Sequence, residues 1–400
     1  MSKPAALALL ATTQVAVLSL WFATAAAGPS LAAEFRLTPG RLSLLVAAVS
    51  AGFALGSVVS AVTGLADRVD PRRLYAASAL AGALASLWFI LLADPASPLA
   101  LILRIATGAA MAGVYPIGMK IAVSWADRDR GLLVGLLVGA LTLGSASPHL
   151  FAVAGGVDWR PIMWLSTAAA FAGAVAILFV RMGPGIAPTT RFEPRMALLA
   201  VRDRALRLAN LGYLGHMWEL YAVWGSIAAY LAASFAAHDA MSDPRGASVA
   251  AFAVVGIGAL GALGGGYLAD RIGRTATTIG ALLVSGACCL VAGAVFGGPP
   301  GLVVAVCLVW GVSVIADSAQ FSATVSELSP PGLTGTMLTV QTAAGFALTL
   351  ATVQLVPLLA DRIGWNWAFA PLAIGPLVGA FAMWRLRGLP AASRLANGRR

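Results

Sequence analysis

Charge is what this 400-residue sequence has least of: Asp, Glu, Lys and Arg together make up 10% of it, while hydrophobic residues make up 60%. Soluble domains carry roughly 25% charged residues, so a water-soluble fold is excluded and a bilayer is the expected solvent. Cysteine is nearly absent. Cys288, Cys289 and Cys307 all fall inside apolar runs, two of them adjacent, which implies neither a disulfide framework nor a metal site. The sequence also lacks a phosphate-binding glycine loop, a metal-ligand cluster and a nucleophile with its base, so no cofactor is expected and an enzyme is not.

What is abundant is length in apolar runs. Crossing the hydrocarbon core takes about 20 mainly apolar residues in a helix. Twelve such spans are expected, near residues 5–27, 42–64, 74–93, 99–122, 132–155, 161–180, 208–233, 247–268, 276–296, 301–322, 335–358 and 367–385. No alternating barrel pattern is present, and backbone groups in lipid must be satisfied within a helix or a closed sheet, which leaves an all-α integral membrane protein. The first run follows Lys3 and ends near Ala25-Ala26-Ala27. It is longer than a signal-peptide core and is read as span 1.

The formal charge of +10 could point to nucleic acid, but its placement points to orientation in a membrane. With a cytoplasmic amino terminus, nineteen of the 26 basic residues fall in inside regions and five in outside ones, while Arg104 and Lys120 lie within spans. The excess of positive charge puts both termini in the cytoplasm. Arg181 to Arg207 is the longest polar connection, broken by Gly183, Pro184, Gly185, Pro188 and Pro194. It divides the chain into a first bundle of residues 1–181, a central loop of 182–207, a second bundle of 208–386 and a basic tail of 387–400.

The two halves repeat. Gly64-Leu65-Ala66-Asp67-Arg68 lies after the second run, and Gly266-Tyr267-Leu268-Ala269-Asp270-Arg271-Ile272-Gly273-Arg274 after the eighth, with the aspartates 203 residues apart (270 minus 67). Gly108 and Gly311, Gly131 and Gly335, and Trp159 and Trp365 recur at nearly the same offset. Two similar six-helix bundles put a functional cavity at their interface near the bilayer midplane. The 44 glycines, dense in the eighth run, let helices approach closely and equally permit sliding.

Intramembrane ionisable residues are costly and usually mark ion or substrate pathways. Two carboxylates lie well inside spans, Glu219 in the seventh and Asp317 in the tenth. They are the proton-coupling candidates, with His216 three residues before Glu219 as a relay partner or a static hydrogen-bond partner. Arg104 either faces a cavity or reaches the outer headgroups, and Lys120 either binds an anion or reaches the inner ones. Gln14, Trp21, Tyr115, Tyr221, Trp224, Trp310, Gln320 and Gln341 are the polar and aromatic residues expected around a cavity, some as ordinary packing. Trp310 stands seven residues before Asp317, on its face.

On these residues the chain resembles the major facilitator superfamily. The second-half loop is a near-complete G-x-L-A-D-R-x-G-R motif. The first-half copy departs from it, with Gly64 one position closer to Asp67 and Asp70-Pro71 in the glycine region. Arg104-Ile105-Ala106-Thr107-Gly108 resembles an R-x-x-x-G element of the fourth span. Gly144-Ser145-Ala146-Ser147-Pro148, followed by His149, is similar to an antiporter element but lacks its Gly-Pro pair. The resemblance implies twelve helices in two pseudo-symmetric six-helix bundles, with spans 1, 4, 7 and 10 lining the cavity. It also implies that Asp67, Arg68 and Arg72, with Gly266, Asp270, Arg271, Gly273 and Arg274 in the other half, gate an alternating-access cycle.

The expected activity is secondary transport of a small solute coupled to protons, with uptake of a small anion favoured, as in members loosely similar to nitrate and cyanate permeases. The alternatives are a proton-driven exporter of a drug or metabolite and a membrane sensor or assembly partner that does not transport. The expected partners are a small molecule, protons and the lipid bilayer of a bacterial inner membrane, with no nucleic acid, and the chain is expected to act as a monomer.

Overall fold

The computed structural model describes all residues except 93, 127–129, 156–157, 186–191, 240–242 and 400, and the side chains of 67, 130, 155 and 244. Among the described residues there are helices and no strands. Twelve helices are long and apolar enough to cross a membrane: Lys3–Ala26, Pro39–Thr63, Pro71–Leu92, Pro98–Val123, Gly131–Ala154, Trp159–Phe179, Arg204–His238, Arg245–Ile272, Arg274–Ala294, Pro300–Leu328, Thr334–Ile363 and Trp365–Arg387. We number them spans 1 to 12. An even number of crossings puts both termini on one side, called here the terminal face; the other is the far face.

Local signals set the ends. Proline occupies the first turn of spans 1, 2, 4 and 10, where its missing N–H costs no hydrogen bond. Thr38, Ser97 and Asp203 accept backbone N–H bonds as N-caps of spans 2, 4 and 7. Gly64 ends span 2 at φ +63°, and Gly273 turns the chain from span 8 to span 9 at φ +99°, conformations that an L side chain rarely adopts. The motif glycine Gly273 is thus a backbone requirement. Gly266 is not, since the nearest atom to a Cβ added there is the Gly131 carbonyl oxygen at 3.9 Å.

Glycine faces hold the bundles together. An added Cβ would stand 1.9 Å from Ile105 O at Gly52, 1.9 Å from Val49 O at Gly108, 1.9 Å from Val254 O at Gly311 and 1.9 Å from Ala316 O at Gly265. These pairs seat span 2 on span 4 and span 8 on span 10, the same pairing in each half. With few charges and no aqueous driving force, close backbone approach is the main source of packing energy. The two bundles meet along spans 2 and 11 and along spans 5 and 8.

Among the described residues four spans are interrupted, which was not anticipated; span 8 breaks at Ile257 and span 12 between Ala368 and Ile374. Span 4 breaks between Met111 and Tyr115, and span 10 breaks at Asp317, between helices ending at Ala316 and starting at Ser318. Val114 and Asp317 are 203 residues apart (317 minus 114), so both fourth helices of the repeat are interrupted at equivalent positions. Broken helices at corresponding positions of two repeats are where carriers place their binding sites, because freed backbone groups become available at mid-depth.

Candidate functional site

Asp317 sits on the break in span 10, and His216 projects from span 7 toward it. His216 Nδ1 lies 2.9 Å from Asp317 Oδ1, and both side chains are 1% exposed. The contact lacks hydrogen-bond alignment, so Asp317 Oδ1 has no hydrogen-bond partner, and His216 Nε2 on the other side of the ring has none either. Spacing along span 7 had linked His216 with Glu219; the structure pairs it with Asp317 instead. The two side chains lie on adjoining strips of span 7, and the neighbouring helices supply each with a different partner: Asp317 of span 10 for His216, and Trp310, Cys289 and Ser285 for Glu219.

Glu219 has its own environment. Trp310 Nε1 donates to Oε1 at 2.6 Å, Cys289 Sγ to the same oxygen at 3.2 Å, and Ser285 Oγ to Oε2 at 2.9 Å. The carboxyl is therefore held by spans 9 and 10 inside the second bundle. Trp310, placed by periodicity on the Asp317 face, serves Glu219. Cys289 was legible only as a buried thiol, and Ser285 was not singled out; a hydroxyl inside an apolar helix is a weak signal.

Arg104 is fully buried and reaches neither headgroups nor solvent. Its Nη2 donates to the carbonyls of Leu20 and Trp21 in span 1 at 3.1 and 3.2 Å. Among the described residues no carboxylate lies within ion-pair distance, and Nε and Nη1 have no partner. Lys120 donates from Nζ to the Ala66 carbonyl at 2.7 Å, which ties span 4 to the loop after span 2. Gln14 accepts from the Tyr75 hydroxyl at 3.2 Å within the first bundle, leaving Nε2 unpartnered. Tyr115 is half-buried just after the break in span 4. Gln341 is buried with both amide ends unpartnered.

Aromatic rings join the bundles above these groups. Trp21 lies 5.6 Å from Tyr221 and 5.5 Å from Phe346, while Phe53 and Phe346 are 4.4 Å apart. Phe22 stacks on Tyr221 and meets Trp224 edge-on, each at 5.9 Å. On the far side of the rings a cavity of about 410 Å³ opens between spans 1, 2, 7 and 11, lined by Pro29, Leu42, Val46, Ser226, Val353 and Asp361 among others.

At the terminal face the second-half motif forms a charge network. Arg274 donates to Glu327 at 2.8 Å and to Gln320 at 2.8 Å, and approaches Asp270 at 3.5 Å. Gln320, expected at the cavity, belongs to this network. Asp270 Oδ2 abuts Gly131 at the start of span 5, in the other bundle, 3.2 Å from where a Cβ would stand. The tail joins in: the Ala396 N–H donates to Glu327 Oε2 at 3.0 Å, and Arg399 donates to the Asp270 carbonyl. Arg271 lies 4.2 Å over the Tyr267 ring, outside the network. In the first-half loop Arg72 pairs with Asp70 at 3.0 Å, Arg68 is exposed, and the Asp67 side chain lies outside the described residues. Arg72 holds the Asp70 carboxyl below its usual range. Among the described residues no cluster suits a metal ion.

Two repeat-related broken helices, an aromatic seam between two six-helix units and a charged network at one face are the architecture of a membrane carrier. A family model described as Major Facilitator Superfamily matches residues 9–352, and the chain belongs to that superfamily. A mutant of the nucleoside transporter NupG, solved by crystallography, superposes with a TM-score of 0.70 at 13% identity, covering 96% of this chain and 100% of that one. At that identity the likeness is one of fold. No curated protein matches the chain.

Proposed function

We propose that this secondary transporter moves a small organic anion together with protons, inward across a bacterial inner membrane, with both termini cytoplasmic. The observation that carries the substrate class is Arg104, a fully buried guanidinium whose Nε and Nη1 have no partner and which, among the described residues, has no carboxylate in reach. A buried uncompensated charge costs several kcal/mol, and an anion entering beside it offsets that cost. The aromatic seam of Trp21, Phe53, Tyr221 and Phe346 favours an anion with an apolar body over an inorganic one. Lys120 is committed to the Ala66 carbonyl and is not assigned to the substrate.

His216 and Asp317 carry the proton. A neutral imidazole beside the carboxylate attracts it weakly; protonation creates an ion pair that draws span 7 to span 10 at the helix break. Loss of the proton loosens the same contact, which biases the bend of span 10 and hence which face is open. Glu219, with three donors around it, is a second proton site or a fixed strut, and Asp270, Arg274 and Glu327 close the cytoplasmic side.

Substrate class is tested by binding in detergent: tryptophan fluorescence is titrated with organic monoanions, organic cations and nucleosides. Saturable quenching by monoanions that is lost in Arg104→Gln is expected. Quenching by cations, unchanged in that variant, would replace this reading with the exporter.

A further inference from the structure

At the terminal face a groove of about 570 Å³ lies between the start of span 7 and the end of span 12, lined by Arg204, Trp384, Arg385, Arg387, Gly388 and Leu389. Half of its lining is arginine, and none is acidic. The nearest carboxylate in sequence, Asp203, caps its own helix by accepting the Leu206 N–H at 2.8 Å. Arg387 is oriented by a bond from Nη1 to Thr275 Oγ1 at 3.3 Å, while Arg204 and Arg385 are exposed.

The groove continues into an apolar track. Ile374, Leu377, Phe381 and Trp384 follow at spacings of three, four and three residues on one face of span 12, and are 58%, 56%, 58% and 58% exposed. The Phe381 and Trp384 rings are 5.8 Å apart. A tryptophan at the junction of the charged end and the apolar face marks headgroup depth. Arginines spread as topological anchors would need no concavity; here three converge on one groove directly above a track facing hydrocarbon. Guanidinium groups bind phosphate oxygens in bidentate fashion, and basic pockets at helix ends take acidic headgroups.

We propose that this groove binds the phosphodiester headgroup of an anionic phospholipid, with an acyl chain along Trp384, Phe381, Leu377 and Ile374. The site joins the start of span 7, the end of span 12 and, through Arg387, span 9. It is independent of the solute carried.

Native mass spectrometry of the full chain, titrated with phosphatidylglycerol or phosphatidylcholine, tests this. Preferential retention of phosphatidylglycerol is expected, weakened about fivefold for each arginine removed in Arg204→Gln and Arg385→Gln. The pair Arg181→Gln and Arg195→Gln, with the same change in net charge, should leave it unaltered. Trp384→Ala, which keeps all three arginines, should shorten retention of both lipids. Equal retention of the two lipids by the wild type, unaltered retention in the Arg204 and Arg385 variants, or full displacement by millimolar inorganic phosphate would overturn the proposal, the last by making the groove a soluble-phosphate site.

Discussion

His216 Nδ1 stands 2.9 Å from Asp317 Oδ1, and the contact bridges span 7 to the point where span 10 is interrupted. A titratable pair at a helix break is where one proton does most to change a helix's direction. Asp317→Asn keeps the shape and removes the charge. It is expected to insert normally and to lower coupled transport by about 100-fold, the lower end of what a positioned proton-transfer group contributes. Wild-type rates in vesicles would place the coupling elsewhere.

Glu219 separates a structural role from a coupling role. Replacement by Ala strands the Trp310 and Cys289 donors, while Ser285 keeps its bond to the Leu282 carbonyl, and is expected to destabilise the second bundle by roughly 1–3 kcal/mol for the stranded Trp310 N–H alone. Gln keeps an acceptor and should be milder. Thermal unfolding in detergent ranks the variants; equal stability of Glu219→Ala and wild type would contradict the hydrogen-bond assignment.

Adjacent glycines in span 8 behave oppositely. A Cβ at Gly265 would stand 1.9 Å from the Ala316 carbonyl, while one at Gly264 meets nothing within 4 Å. Gly265→Ala is expected to cost about 1–3 kcal/mol or more through displacement of span 10. Gly264→Ala should be neutral or stabilise by up to about 1 kcal/mol. Unfolding midpoints of the two variants check the contrast.

This contrast also marks where sequence reading stops. The twelve spans were legible because apolar run length is a one-dimensional property; the left-handed backbone at Gly273 became visible only in the structure. Which glycine faces a neighbour was not legible, since it depends on helix rotation against a partner. The same limit holds for His216: spacing put it beside Glu219, and three-dimensional packing places it against Asp317. Gln320 and Lys120 were placed by depth alone, and the groups to which they bond, on Arg274 and Ala66, are remote in sequence. The break at Asp317 had no proline or glycine to announce it.

At the far face, Glu34 pairs with Arg160 at 2.6 Å and accepts from Trp159, and the Arg160 hydrogen bond holds its carboxyl below the usual range. A depressed folded-state value contributes stability that is present above the unfolded pKa and lost as pH falls through the folded one. Acid should therefore loosen this end of the first bundle, and Glu34→Gln should flatten the pH dependence of the unfolding midpoint below pH about 4.3, the ordinary glutamate value. An unchanged profile would show the pair to be unimportant.

Arg274→Ala removes the contacts to Glu327, Gln320 and Asp270 together and should open the terminal face. Spin labels on the first turn of span 5 and the last turn of span 8 would report a longer separation than in wild type; an identical distance distribution would exclude gating by this network.

The central claim is that solute and protons move together. Proteoliposomes loaded with a pH-sensitive dye and given an inward gradient of an organic monoanion test it most directly. The account predicts internal acidification that requires the anion and disappears in Asp317→Asn. Anion entry without acidification, or acidification that survives in that variant, would contradict it.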